Sequence, residues 1–112
     1  MNYNFETTKD FEKELKALAK KYVSIKSDIK KLQSDIEINP EQGSNLGGGF
    51  RKIRFSITSK GKGKSGGGRV ITYETIVNIA ETTIIFVSIY DKSEYENIGL
   101  ATIKKNLGIS QP

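Results

Sequence analysis

The sequence predicts an α+β domain: two N-terminal helices packed on an antiparallel sheet of three to four strands. Three observations lead there. Apolar residues recur at helical spacing from Phe11 to Ile36, then with a period of two from Phe50 to Ile57. The helical patterns precede every strong strand pattern, which groups the helices on one sheet face. The chain has 112 residues, which suits one domain (residues 1–112) with a single modest core.

Tyr3–Thr7 alternates and reads as a short edge strand. Thr8 offers an N-cap and Asp10 a favourable first-turn acid. Phe11, Leu15, Leu18 and Tyr22 then predict an amphipathic helix over about 9–21. A second helix starts near Ser24, carries Ile25, Ile29, Leu32 and Ile36 on one stripe, and ends at Asn39-Pro40. The pair reads as an αα-hairpin.

Glu41 to Gly49 reads as a loop. Phe50–Ile57 is the first clear strand, with Ile53, Phe55 and Ile57 on one side and Lys52, Arg54 and Ser56 on the other. Residues 58–68, rich in Gly and Lys, are expected to hold no regular structure. Arg69 to about Ile79 is β-rich, and Glu81-Thr82 is read as the turn. Thr83–Tyr90 is the most apolar strand and is expected at the sheet centre. A short helix is expected from about Leu100 to Leu107, ended by Gly108.

Composition narrows the chemistry. There is no Cys and no His. Disulfides and thiolate sites are thereby excluded, as are the commonest general base and the commonest zinc ligand. No metal site and no cofactor is expected. The longest apolar run, Ile84–Val87 extended by Ile89, is far too short to span a bilayer. The N-terminal Met1–Phe5 lacks the basic and apolar regions of a signal peptide. The expected location is the cytoplasm, with no membrane partner.

Charge is distributed unevenly. The net charge is +5, yet residues 43–73 hold Arg51, Lys52, Arg54, Lys60, Lys62, Lys64 and Arg69 and no acid. The remainder has 11 basic and 13 acidic residues. Such concentration builds a directional field for a polyanion.

The Gly-Lys loop admits three readings. Gly63-Lys64-Ser65 imitates the end of a nucleotide-binding P-loop, but Thr58 stands where its first glycine belongs and a strand follows instead of a helix. Gly61, Gly63 and Gly66 satisfy G-x-G-x-x-G, again without the required helix. A solvated hairpin loop is the plain alternative. Against it, the cations continue onto both flanking strands, and alternating glycines let backbone N–H and ammonium groups approach one anion together. An RNA phosphate surface fits best. Arg51, Lys60, Lys62 and Lys64 would bind the backbone, and Tyr73 and Tyr90 would offer stacking faces. Core packing is the alternative for each tyrosine.

Four segments carry a family resemblance: Phe50-Arg51-Lys52-Ile53-Arg54-Phe55, Gly61-Lys62-Gly63-Lys64-Ser65-Gly66-Gly67, Arg69-Val70-Ile71-Thr72-Tyr73 and Ile89-Tyr90-Asp91-Lys92-Ser93-Glu94. Over roughly residues 46–98 the chain resembles the RelE/HigB toxins of bacterial type II toxin–antitoxin modules, most closely the HigB-like branch. The resemblance implies a RelE-like, microbial-ribonuclease-like domain that cleaves mRNA in the ribosomal A site and inhibits translation. Its implied partners are the 70S ribosome, mRNA and a cognate HigA-like antitoxin with a helix-turn-helix. Operator DNA would be bound only through that antitoxin.

By the same resemblance, Lys52 and Arg54 match the family's strand-borne basic pair. Arg69 matches the arginine opening the next strand, and Lys92 a basic residue after the last strand. The family's C-terminal tyrosine would fall near Ile98, where this chain has none; Tyr90 or Tyr95 would replace it. The candidate catalytic set is therefore Lys52, Arg54, Arg69, Tyr90 and Lys92. Arg54 and Arg69 would stabilise phosphate charge, Lys52 or Lys64 would act as base, and Tyr90 or Lys92 would protonate the leaving group. Asp91 and Glu94 are alternative bases, or surface carboxylates paired with Lys92. Two other functions stay open: a ParE-like toxin acting on gyrase, and a non-catalytic RNA-binding module.

Overall fold

A computed structural model describes residues 2–78 and 80–94. Five strands and two helices follow in the order β1 (Asn2–Thr7), α1 (Lys9–Lys21), α2 (Ile25–Ile38), β2 (Ser44–Gly47), β3 (Phe50–Phe55), β4 (Gly68–Asn78) and β5 (Glu81–Asp91). A single 3-10 turn, Thr58–Lys60, lies between β3 and β4. Among the described residues, no helix is long and apolar enough to cross a membrane.

The fold class is α+β, as expected, but the sheet departs from expectation in two ways. It has five strands, in the order β1-β5-β4-β3-β2. It is also mixed: β1 runs parallel to β5, while the other neighbours are antiparallel. Both corrections have physical causes. The chain between β1 and β5 includes both helices and three strands, long enough for β1 to join β5 in parallel rather than as a hairpin partner. Strand β2 lies in what reads as a loop because Gly47, Gly48 and Gly49 all take positive φ, a signal of turns rather than strands. Ser44 nevertheless pairs with Lys52 and Asn45 with Arg51.

Helix α1 begins at Thr8, whose hydroxyl accepts the Phe11 N–H at 3.0 Å and donates to the Val87 carbonyl at 2.9 Å. One side chain thus caps the helix and ties it to β5; such caps contribute about 1 kcal/mol. Phe11 is almost fully buried and stacks on Phe86 of β5, with ring centroids 5.4 Å apart. Burial of a side chain this size stabilises by roughly 1.5–3 kcal/mol. Helix α2 starts after Ser24 and ends at Asn39, where the residue before Pro40 cannot easily stay helical.

The core lies between the helices and one sheet face. Leu18, Tyr22, Ile25, Ile29, Leu32 and Ile36 meet Ile53, Phe55, Ile57, Val70, Ile84, Phe86 and Ile89 there. The other face carries a second cluster, Phe50, Ile71, Val87 and Tyr90, with Leu46, Tyr73 and Ile85 against it. Strand β5 therefore feeds apolar side chains to both faces, which explains its unbroken apolar run. A bulge interrupts it: Ile71 pairs with Ser88 but Thr72 with Phe86. The Glu14 carboxylate of α1 accepts from the Ser88 hydroxyl at 3.1 Å and the Ile89 N–H at 3.3 Å beside that bulge. Burial pushes the Glu14 carboxyl above its ordinary pKa, partly opposed by these hydrogen bonds.

The chain reverses between Asn78 and Glu81 rather than at Glu81-Thr82, and the Asn78 side chain accepts the Ala80 N–H at 2.8 Å. The helix expected over Leu100–Leu107, and Tyr95, lie outside the described residues.

Candidate nucleic-acid interface

Strand register places the basic residues in rows. Arg54 of β3 pairs with Arg69 of β4, and Arg69 with Tyr90 of β5. Directly paired residues project from the same sheet face. One row along, Lys52 pairs with Ile71, and the period of two keeps Lys52 on the face of Arg54. That face is the one opposite the helices. Four expected catalytic residues, Lys52, Arg54, Arg69 and Tyr90, therefore share one surface.

Their exposure differs. Arg54 is exposed and Lys52 half-buried, whereas Arg69 and Tyr90 are buried. Burial, then the neighbouring Arg54 cation, lowers the Arg69 pKa; the Tyr90 hydroxyl opposes this. Burial raises the Tyr90 pKa, and Arg69 pulls it back. Like charges directly opposite each other are unfavourable. Among the described residues, neither guanidinium has a carboxylate within salt-bridge distance. The Arg54–Arg69 pair is thus a concentrated positive charge that an anion would relieve.

The loop from Ile57 to Gly68 is built, not slack. Asp28 of α2 accepts the Thr58 N–H at 3.0 Å and the Thr58 hydroxyl at 2.6 Å. Ser24 accepts the Ser59 N–H at 2.8 Å. Gly66 and Gly67 donate to the carbonyls of Lys62 and Lys64. Gly67 is obligatory for space: a Cβ there would lie 2.2 Å from the Phe55 carbonyl oxygen. From the sheet, Arg69 Nη1 donates to the Lys64 and Gly68 carbonyls at 3.0 Å each, and Nη2 to the Ser65 carbonyl at 3.2 Å. These contacts leave Lys62 and Lys64 exposed on the loop. Lys64 and Arg54 line one cleft together with Lys31, Asp28 and Asp35 of α2.

The remaining candidates disperse. Arg51 projects to the helix side, where its Nη1 donates to the Glu41 carbonyl at 2.9 Å. Tyr73 is half-buried, with its ring centroid 4.7 Å from that of Phe50; this is a packing role. Lys92 is exposed, and its N–H donates to the Gly67 carbonyl at 3.1 Å. Lys60 turns inward to Asp91, with Nζ 2.7 Å from Oδ1.

Asp91 is the residue that sequence reasoning misplaced. It is fully buried and pairs with Lys60 rather than with Lys92. The Tyr22 hydroxyl donates to Oδ2 at 2.5 Å, and the Ser93 N–H and hydroxyl donate to Oδ1 at 2.9 and 2.8 Å. These donors hold its carboxyl well below the usual range despite the opposing effect of burial. Glu94 instead lies 3.5 Å from Lys21, both exposed, a pair worth little. The only sequence signal for Asp91 was an acid directly after an apolar strand.

Searched against models of known protein families, the chain matches none, and no curated protein matches it in sequence.

Proposed function

We propose that this chain is a RelE/HigB-type toxin: a metal-independent endoribonuclease that cuts mRNA in the ribosomal A site. One observation carries the reading. Arg54, Arg69 and Tyr90 stand in a single row across three strands, with Lys52 on the same face and exposed loop lysines beside them. RNA cleavage by an internal nucleophile needs little more. The 2′-hydroxyl loses its proton and attacks the adjacent phosphorus. The bond to the 5′-oxygen breaks, and that oxygen takes up a proton.

The fixed Arg54–Arg69 charge would neutralise the phosphorane, usually the largest catalytic contribution. Lys52, on the same face as Arg54, would accept the 2′ proton. Tyr90 or Lys92 would donate to the leaving oxygen. Lys62 and Lys64 would hold flanking phosphates, giving affinity without sequence choice. The HigA-like antitoxin, the ribosome and a cytoplasmic site of action belong to the same proposal.

The test is cleavage of mRNA on translating ribosomes by the purified chain. Arg54→Ala is expected to lower the rate by about 100-fold, as removal of one oxyanion donor does. Undiminished cleavage would sink the assignment. A second reading, a non-catalytic RNA-binding module, is favoured by the burial of Arg69 and Tyr90. RNA binding without any cut on ribosomes would establish it.

A further inference from the structure

We propose that Lys60 and Asp91 form an ion-pair clamp that seats the Gly-rich loop on the sheet, making Lys60 a positioning residue for Lys62 and Lys64. The inference rests on the RNA-cleaving function proposed above, and goes beyond it by removing Lys60 from the substrate-binding cations.

The geometry is specific. Lys60 closes the 3-10 turn, and Gly61 follows it in the left-handed conformation at φ 72°. The chain therefore turns sharply just after the clamped residue, and Lys62 and Lys64 follow on the exposed side. The side chain of Lys60 is 14% exposed and that of Asp91 0%. An RNA phosphate would have to displace a buried carboxylate to reach this ammonium. Asp91 accepts from three elements: the end of α1 through Tyr22, the loop through Lys60, and the segment after β5 through Ser93. It also lies between Tyr90 and Lys92, two residues of the proposed site. The Lys92 N–H closes the arrangement on the Gly67 carbonyl.

The loop thus has two bolts on opposite sheet faces. Arg69 holds its C-terminal half by the Lys64 and Ser65 carbonyls. The Lys60–Asp91 pair holds its N-terminal end. Between them sit the two exposed lysines. A buried, multiply hydrogen-bonded ion pair stabilises weakly for its cost but fixes geometry, which is the property a loop anchor needs.

The experiment compares wild type with Lys60→Met and Lys60→Arg. The first readout is limited trypsin cleavage after Lys62 and Lys64, followed by mass spectrometry. Lys60→Met is expected to raise nicking there at least about 10-fold, because cleavage of a local opening tracks its population. Lys60→Arg, which keeps the charge, is expected to restore most of the protection. The second readout is cleavage on ribosomes. Loss of loop positioning is expected to raise KM about 10-fold with kcat within about twofold, since only substrate holding is lost. A merely structural role would lower the active fraction, and so kcat, with KM unchanged.

Wild-type nicking in Lys60→Met overturns the clamp, and increased nicking with unchanged KM overturns the positioning role. If Lys60→Met fails to fold, the Lys60→Met, Asp91→Asn double variant removes both charges. It is expected to fold and to show the same nicking. A folded double variant nicked no faster than wild type overturns the proposal. If the wild-type chain cuts no RNA, the proposed function falls on its own. The clamp is then decided by nicking and by binding to 70S ribosomes, where the affinity of Lys60→Met should fall by the same factor.

Discussion

The guanidinium of Arg69 donates to the carbonyl oxygen of Lys64 at 3.0 Å, so the residue that opens β4 holds the loop that leads into it. With bonds to Gly68 and Ser65 as well, one planar group serves three carbonyls. A lysine has no fork to reproduce this. Arg69→Lys is therefore expected to lose about 1–3 kcal/mol in urea unfolding, and to cut RNA more slowly than that loss explains. Unfolding and cleavage both at wild-type level would show that the fork carries neither role.

The adjacent basic residues Arg51 and Lys52 provide a test of facing. Arg51 points to the helix side and Lys52 to the side of Arg54. Lys52→Ala is expected to weaken mRNA cleavage on ribosomes at least about 100-fold, as loss of an acid–base group does. Arg51→Ala is expected to leave it within about twofold, since its cation never meets the substrate. Equal losses from both variants would move the site off this face.

Much of this arrangement was legible in the sequence. The helix limits followed from Thr8, the apolar stripe and Pro40, all local signals. The division of β3 into an apolar and a basic side followed from its period of two. What was hidden depended on partners far along the chain. The parallel pairing of β1 with β5 joins residues about 80 positions apart, and nothing in Tyr3–Thr7 encodes its direction. Lys60 looked like Lys62 and Lys64 because the three alternate with glycine. Only Asp91, 31 residues on, separates it from them. The row of Arg54, Arg69 and Tyr90 was not legible either, because it depends on the register of three strands. Core packing of Tyr90 was one of two open readings, and the burial of Arg69 was not foreseen.

Two loop glycines are expected to resist substitution for different reasons, Gly67 for space and Gly63 for its backbone conformation. Gly67 has an ordinary backbone, yet a Cβ would lie 2.2 Å from the Phe55 carbonyl oxygen and 2.8 Å from that of Gly63. Both are backbone atoms and cannot swing aside. Gly67→Ala is expected to destabilise by about 1–3 kcal/mol, the usual cost of forced backbone shifts. Gly63, at φ 62°, has open space around the same point. Gly63→Ala meets only the left-handed penalty of about 1–2 kcal/mol, and Gly63→Asn less, because Asn tolerates that region. Thermal unfolding of the three variants gives the order; a Gly67→Ala protein as stable as wild type would refute the close packing.

Two carboxylates give opposite pH dependences. The Glu14 pKa is raised by burial. Its contribution to stability is complete below its unfolded value, about 4.3, and is lost as pH climbs through the raised folded value. Asp91 is depressed by Lys60, Tyr22 and Ser93. Its contribution is present above about pH 3.9 and is lost as pH falls toward the lowered folded value. Glu14→Gln keeps an acceptor for Ser88 and Ile89 without the charge. Its stability relative to wild type is therefore expected to improve as pH rises from about 4 to 7. The gap between wild type and Asp91→Asn is expected to stay constant from about pH 5 to 7 and to narrow below about pH 5. Urea midpoints across the range check both. A Glu14→Gln difference independent of pH would show that the carboxylate beside the β5 bulge is not shifted by its burial.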